Sequence, residues 1–286
     1  MASPPGKVAI KLSGVPETAL YTLWVKAQDA LKPDSRLHDK WALEAVERIE
    51  GYNFSKFRLS TATAHFLPLR SRTFDDWVTA FLDKHPDATV VNLACGVESR
   101  ALRLLPSYPS VRWVDIDLPD MVALRQKLLP NPEGDYTLLA ASATDKEWLS
   151  TIPGGQPAVV LAEGLTMYLT EETAHDLIRR VVDHFGSGEL LFDTVGLLSM
   201  RSQQYLDFLT NTNSSFTWGV EDFHSIEQAH ERLRLRQVVR YADYQGFHEM
   251  PLRLRLLFSI FWYVPWMRNV QANLRFEFGD VAQNRS

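Results

Sequence analysis

Between residues 89 and 192 the chain repeats one pattern, a short apolar run followed by a helical or loop segment. Runs occupy 89–93, 111–116, 136–140, 158–162 and 189–192. They are apolar without strict alternation, so both faces of each strand must be covered, as in a parallel sheet with helices on each side. Between the fourth and fifth runs lies an amphipathic helix with Ala174, Leu177, Ile178, Val181, Val182 and Phe185 on one face. Thr170, Glu171 and Glu172 mark its start and Gly186 its stop. Strands alternating with crossover helices specify a doubly wound α/β sheet.

The flanks read differently. The first 85 residues are helical in pattern: Leu20, Leu23, Trp24 and Ala27 share one helical face, and Trp41, Ala45, Val46 and Ile49 another, closed by Gly51. A third helix is expected to start at an N-cap Thr73, with Asp75 and Asp76 in its first turn, and to stop before Pro86. Beyond residue 196 the expectations are a helix over 198–209, a loop or lid in NTNSSFTWGVEDFH, a strand with one wet face over 232–240 and a closing strand over 273–278. With no internal repeat, the chain is taken as a single domain, 1–286. Within it, 1–85 form a helical extension, 86–196 a cofactor-binding core, and 197–286 the lid and substrate-side elements.

Several function classes drop out. A net charge of -5 gives no basic field for nucleic acid. Cys95 is the single cysteine, which excludes an internal disulfide and a cysteine-based zinc site. MASPPGK lacks the pattern of a signal peptide, and the apolar run 256–265 is too short to span a bilayer. A cytoplasmic location is expected.

Ligands of open α/β sheets bind beyond the carboxyl ends of the strands. There the sequence places Ala94, Cys95 and Gly96 after the first strand, Asp117 after the second, Ser142 and Ala143 after the third, and Glu163 after the fourth. The spacing from Gly96 to Asp117 suits a glycine loop and a ribose-binding acid, which points to an adenosine-type cofactor, although Asp117 also reads as a strand-end turn residue. A dinucleotide normally needs three glycines and a full helix N-terminus for its pyrophosphate. Here the loop has one glycine and Pro106 cuts the next helix short, so a phosphate-free ligand, S-adenosylmethionine, fits better than NAD. Arg72 is the candidate to pair its carboxylate and Glu163 to receive its ammonium; the competing reading of Arg72 is a solvated residue before a helix.

The stretches ETALYTLWVKA, DSRLHDKWALEAV, RSRTFDDWV, VVNLACGVESRALRL, VRWVDIDLPDMVALRQKLL, ASATDKEWL and VVLAEGLTMYLTEE occur in that order over residues 17 to about 200. Together they resemble the leucine carboxyl methyltransferase-like family of class I S-adenosylmethionine-dependent methyltransferases, and its polyketide-type small-molecule branch more than the branch acting on protein phosphatase. The resemblance implies a Rossmann-like α/β fold with a mostly parallel seven-stranded sheet, helices on both faces, an N-terminal helical extension and a helical lid after the fifth strand. It further implies that Arg72 binds the methionine carboxylate and that Ala94, Cys95 and Gly96 pass beneath the cofactor. Asp117 would hold the ribose, Ser142 and Ala143 flank the adenine, and Glu163 and Tyr168 line the methionine side and transfer cavity. Lys26 stands where relatives often carry arginine. Ala94 departs from the commoner glycine, and is acceptable there if its φ is negative; Glu98-Ser99 replaces a commoner Asp-Thr.

A carboxylate acceptor is already ionised at neutral pH, whereas a phenol benefits from a general base. Tyr168 and His224 are the groups put forward for a catalytic role, yet His65, His224 and His230 read mainly as surface or structural histidines, and the spacing of the last two suits no metal pair. Carboxyl methylation is therefore favoured over phenol methylation. The tail FHEMPLRLRLLFSIFWYVPWMRN offers Phe258, Phe261, Trp262, Tyr263 and Trp266 as walls of an aromatic substrate pocket, or alternatively as a core helix or homodimer contact. The rival functions are a protein C-terminal carboxyl methyltransferase, a non-catalytic adenosine-ligand binding protein and an NAD-dependent oxidoreductase.

Overall fold

The five apolar runs lie side by side as β1 (Thr89–Leu93), β2 (Arg112–Asp117), β3 (Asp135–Ala140), β4 (Ala158–Ala162) and β5 (Gly188–Thr194), all parallel. The computed structural model describes residues 6–10 and 15–279, without the side chains of Pro265 and Trp266. Two later strands, β6 (Leu233–Arg240) and β7 (Ala272–Phe278), complete a seven-stranded sheet of order β3-β2-β1-β4-β5-β7-β6, with β7 antiparallel to both neighbours. The edge strand β6 has one wet face, as expected, with a register shift between Leu235 and Gln237.

Every residue of β1 and β4 is buried, successive ones on opposite faces, whereas the edge strand β3 has no buried residue, so the expected cover on both faces fails for the run 136–140. Val91, Leu93, Val114, Ile116, Val160, Leu190, Phe192 and Phe276 face one core, and Val90, Trp113, Val159, Leu161 and Leu191 face the other. Phe192 on β5 and Phe276 on β7 stack at 5.4 Å, which ties the antiparallel pair β6 and β7 to the parallel block.

The helices are α1 (Val15–Ala30), α2 (Lys40–Arg48), α3 (Thr61–Leu82), α4 (Arg100–Leu104), α5 (Pro119–Leu128), α6 (Glu147–Ser150), α7 (Glu171–Phe185), α8 (Leu197–Ser202), α9 (Asp207–Thr212), α10 (Leu252–Tyr263) and α11 (Pro265–Arg268). α7 matches the sequence pattern from its Thr170 cap to Gly186 at φ +75°. α6 and α7 cover one face of the sheet; α3 and α10 cover the other. α1, α2 and α5 form a third cluster beside Val97, so the helical extension sits over the loop that follows β1.

Three boundaries differ from expectation. α3 begins at Thr61, where Ser60 caps it by accepting from the Thr63 amide at 3.0 Å, and it runs straight through Thr73. The Thr73 hydroxyl bonds back to the Leu69 carbonyl at 2.9 Å, the alternative a mid-helix threonine has to capping. Pro68 lies inside the helix and cannot donate to the Ala64 carbonyl; the Lys32 ammonium does so instead, at 3.3 Å. α2 ends at Arg48, before Gly51, because Ile49–Glu50 turns extended to pair with Val8–Ala9. The single helix expected over 198–209 is two, α8 and α9, parted by an extended Leu206.

Candidate active site

The chain leaves β1 for β2 and β3 on one side, then returns to β4 on the other, so the carboxyl ends of β1 and β4 border the crevice where such sheets bind ligands. The loop after β1 crosses this crevice. Its Cys95 amide donates to the Ile116 carbonyl at 3.0 Å, and its Gly96 amide to Asp117 Oδ2 at 2.6 Å. Leu118 donates to the other Asp117 oxygen at 2.7 Å. Burial raises the Asp117 carboxyl above its ordinary value, against the pull of those two amides.

Gly96 has φ +55°, and a Cβ added there would stand 3.2 Å from that of Ala19 on α1. The expectation of a negative φ at Ala94 fails: it is +51°. A residue with a Cβ held in this region costs roughly 1–2 kcal/mol, so the loop stores strain where glycine would relieve it.

A cavity of about 270 Å³ opens here. Its lining includes Thr18, Ala19, Thr22 and Lys26 from α1, Ala94, Cys95, Gly96 and Glu98 from the loop, and Asp117, Ser142, Ala143 and Glu163 from later strand ends. The site residues anticipated at the strand ends thus share one cavity. Cys95 is buried and its thiol pushed well up by desolvation, so it stays protonated.

Arg72 does not join them. It lies on the outer face of α3, paired with Asp76 at 3.0 Å and donating to the Arg36 carbonyl at 3.1 Å. Two residues earlier, Arg70 is on the inner face: its Nε reaches Glu163 at 3.1 Å and its Nη1 reaches Asp193 at 2.9 Å. Glu163, expected to be free for an ammonium, also accepts from Ser71 at 2.7 Å and Arg100 at 2.6 Å. Although burial opposes ionisation of Glu163, Lys26, Arg70 and Arg100 together hold its carboxyl well below the ordinary range.

These pairs belong to a continuous chain of alternating charge. Lys26 binds Glu98, which binds Arg103 at 3.1 Å; Arg103 binds Asp39 at 3.0 Å and Asp75 at 2.7 Å. Asp75 binds Arg100 at 2.5 Å, and Arg100 leads through Glu163 to Arg70 and Asp193. Arg100 is fully buried, with its guanidinium 5.8 Å from the centre of the Phe74 ring. Its Nη1 is buried without a partner. Burial brings the Lys26 ammonium down to about 8.

Arg70, Gly164, Thr18 and Thr22 also line a second cavity of about 270 Å³, so the two spaces share a wall. The second is aromatic: Tyr21, Phe66, Tyr168, Phe208, Phe216, Tyr241 and Phe258 surround it, with Thr63, Ser199, Gln271 and Asp193 as polar points. Tyr21 stacks on Phe208 at 5.4 Å and 4°, and Phe66 meets Phe258 edge-on at 4.5 Å. Tyr168 belongs to this cavity, not to the first, and burial pushes its hydroxyl up to about 12. Among the described side chains of the aromatic tail, Phe258 alone lines the space; Phe261 packs against the core behind it, while Trp262 and Tyr263 are 37% and 80% exposed. The Trp266 side chain lies outside the described residues. His224 is 70% exposed beside Glu227, away from both cavities. Among the described residues, no histidine lines either cavity.

Sequence reasoning missed Arg70, Arg100 and Asp193. The signal for Arg70 was present in the apolar phase of α3, since Phe66, Phe74, Trp77 and Phe81 set a buried stripe that includes position 70 and excludes 72.

The sequence pattern of the leucine carboxyl methyltransferase family matches residues 27–182. Tetracenomycin polyketide synthesis O-methyltransferase TcmP of Streptomyces glaucescens is 40% identical over 229 residues, covering 80% of this chain and 83% of the relative. The S-adenosyl-L-methionine-dependent methyltransferase dpfgK of Gibberella zeae is 35% identical over 249 residues, covering 81% and 84%. Among solved structures, a DUF574 family protein from Streptomyces avermitilis superposes with a TM-score of 0.57 at 13% identity, covering 91% of this chain and 97% of that one, a likeness of fold.

Proposed function

The chain belongs to the leucine carboxyl methyltransferase family of S-adenosylmethionine-dependent enzymes, and from that premise we propose that it methylates an oxygen of a small, flat aromatic acceptor of polyketide type, a carboxylate in preference to a phenol. The observation that carries this reading is the shared wall: a charged cavity with an acidic strand end and an aromatic cavity without histidine meet at Arg70 and Gly164.

The first cavity fits the cofactor. Asp117 would accept from the ribose hydroxyls, with its carboxylate already oriented by the Gly96 and Leu118 amides. Ser142 and Ala143 would flank the adenine. Lys26, Arg70 and Arg100 all line this cavity and offer a ligand carboxylate cationic donors that are already held in place. When bound, S-adenosylmethionine supplies an electrophilic methyl group. The chain's part is to bind and orient the acceptor and to exclude water, and holding reactants in register supplies roughly 7–11 kcal/mol of barrier reduction.

Tyr21, Tyr168 and Tyr241 give the acceptor cavity hydroxyl points within aromatic walls, which suits a hydroxylated ring system. Neither Tyr168 nor Tyr241, both pushed up to about 12, serves as a base at neutral pH. An acceptor that is already an anion needs none. The likeness to TcmP, named for polyketide synthesis, supports the same substrate class.

The test is transfer of labelled methyl from S-adenosylmethionine to a panel of hydroxylated aromatic acids and polyphenols and, in parallel, to a protein with a free C-terminal carboxylate. Label released by mild alkali marks an ester, and label that resists marks an aryl ether. Ether-linked label throughout the panel refutes the carboxyl preference; label only on a protein C-terminus refutes the small-molecule reading.

A further inference from the structure

Helix α10 carries apolar residues on two faces. Leu254, Phe258 and Phe261 point into the core, and Phe258 walls the aromatic cavity. On the opposite side Leu252, Leu256, Ile260 and Tyr263 are 64%, 59%, 55% and 80% exposed. Their spacing of four, four and three residues places them in one stripe along the helix, where a monomer would carry polar residues. Leu257, 45% exposed, widens it. Together these side chains present on the order of 500–600 Å² of apolar surface, the upper end for the largest patch on a monomeric protein.

The geometry points to a second copy of this chain as the cover: two α10 helices packed antiparallel about a two-fold axis near position 258. Positions 256 and 260 stand equally far on either side of 258, and 252 and 263 nearly so. Leu256 then meets the partner's Ile260, and Leu252 the partner's Tyr263, the reciprocal contact an isologous interface requires. The exposed Arg253 comes to lie over the partner's Tyr263 ring, where a guanidinium is attracted. Two such faces offer at most roughly 1,000–1,200 Å² in all, the lower edge of the range for stable interfaces.

Because Phe258 sits on the same helix, the dimer contact braces the wall of the acceptor cavity; this consequence, unlike the contact itself, rests on the function proposed above.

Sedimentation velocity on the full chain at micromolar concentration is expected to show twice the single-chain mass of 32.7 kDa. The double variant Leu256→Glu/Ile260→Glu is expected to sediment as one chain while still binding S-adenosylhomocysteine, since neither residue lines that cavity. Leu256→Ser/Ile260→Ser, gentler on the helix, is expected to raise the dimer dissociation constant at least about tenfold. A wild-type chain that sediments singly overturns the proposal, whether or not it also binds anionic vesicles. So does a dimer that both double variants leave intact. A raised acceptor KM in the monomeric variants, at unchanged cofactor affinity, supports the bracing role. A chain that dimerises through α10 but methylates no acceptor supports the interface and counts against the functional reading alone.

Discussion

Arg70→Gln is expected to weaken S-adenosylhomocysteine binding by about 10- to 100-fold, while Arg72→Ala leaves it within about twofold. The Arg70 side chain is 16% exposed and lies between two carboxylates, 3.1 Å from Glu163 and 2.9 Å from Asp193, on the wall common to both cavities. One charge-assisted hydrogen bond to a ligand carboxylate contributes about 1.5–3 kcal/mol, which sets that range. The same substitution removes the cation paired with Asp193 and one of the cations paired with Glu163, a stability cost on the order of 3–5 kcal/mol, so titrations belong well below the thermal midpoint, with the fold checked by circular dichroism. Arg70→Lys keeps the charge and loses the fork, and is expected to fall between the two. Arg72, at 51% exposure, makes an i,i+4 pair with Asp76 worth about 0.3–0.5 kcal/mol and touches neither cavity. Calorimetric titration reads all three variants. A folded Arg70→Gln protein that binds as tightly as wild type, or an Arg72→Ala protein weakened tenfold, refutes the assignment of the carboxylate to the inner face of α3.

Gly96→Ala combines a φ of +55° with a Cβ 3.2 Å from Ala19, so a loss of about 1–2 kcal/mol in stability is expected by denaturant titration, with weaker cofactor binding by calorimetry. Lys26 gives a pH dependence. Its ammonium titrates at about 8 in the free protein and is raised by a bound carboxylate, so the complex holds the extra proton and affinity falls as pH climbs through about 8. Lys26→Met should abolish that fall, and a matching slope in both proteins would rule Lys26 out. Tyr168→Phe is expected to leave the shape of the kcat–pH profile between pH 6 and about 9 unchanged, since its hydroxyl titrates near 12. His224→Ala should keep kcat and KM within about twofold in steady-state assays, as an exposed side chain away from both cavities.

The alternating ion chain needs its own explanation, because stability does not supply one. Buried pairs are commonly no better than apolar packing of equal volume, whereas removing one member strands its partner. Four of its carriers, Lys26, Asp39, Arg70 and Asp75, come from α1 and α3 or the turn before α2. Glu98, Arg100, Arg103, Glu163 and Asp193 come from the sheet's strand ends and α4. The chain of charges therefore anchors α1 and α3 to the carboxyl ends of the strands at the rim of the first cavity. Charges fixed this way are oriented before any ligand arrives and need no reorganisation when one binds.

How much of this was legible depended on whether local pattern and tertiary role agree. The strands were readable because runs such as 89–93 and 158–162 are buried on both faces, which leaves short, mostly apolar stretches such as TVVNL and AVVLA between the helical segments. Asp117, Ser142 and Glu163 were readable because position relative to a strand end needs only the strand. Arg70 was not, because its side depends on helix phase, and the phase was lost at Thr73. With a helix beginning there, both arginines of RSR fall in a loop and the one beside the threonine looks favoured. Carrying the helix back to Ser60 requires accepting a proline in its third turn, which propensity forbids and the Lys32 ammonium makes tolerable by occupying the Ala64 carbonyl. Once phased from Phe66 and Phe74, position 70 stands mid-stripe and position 72 about 160° away from it. The error of two residues was thus one error of helix length. The contact that would have corrected it, Lys32 to Ala64, is not local, and no pattern in the sequence announces it.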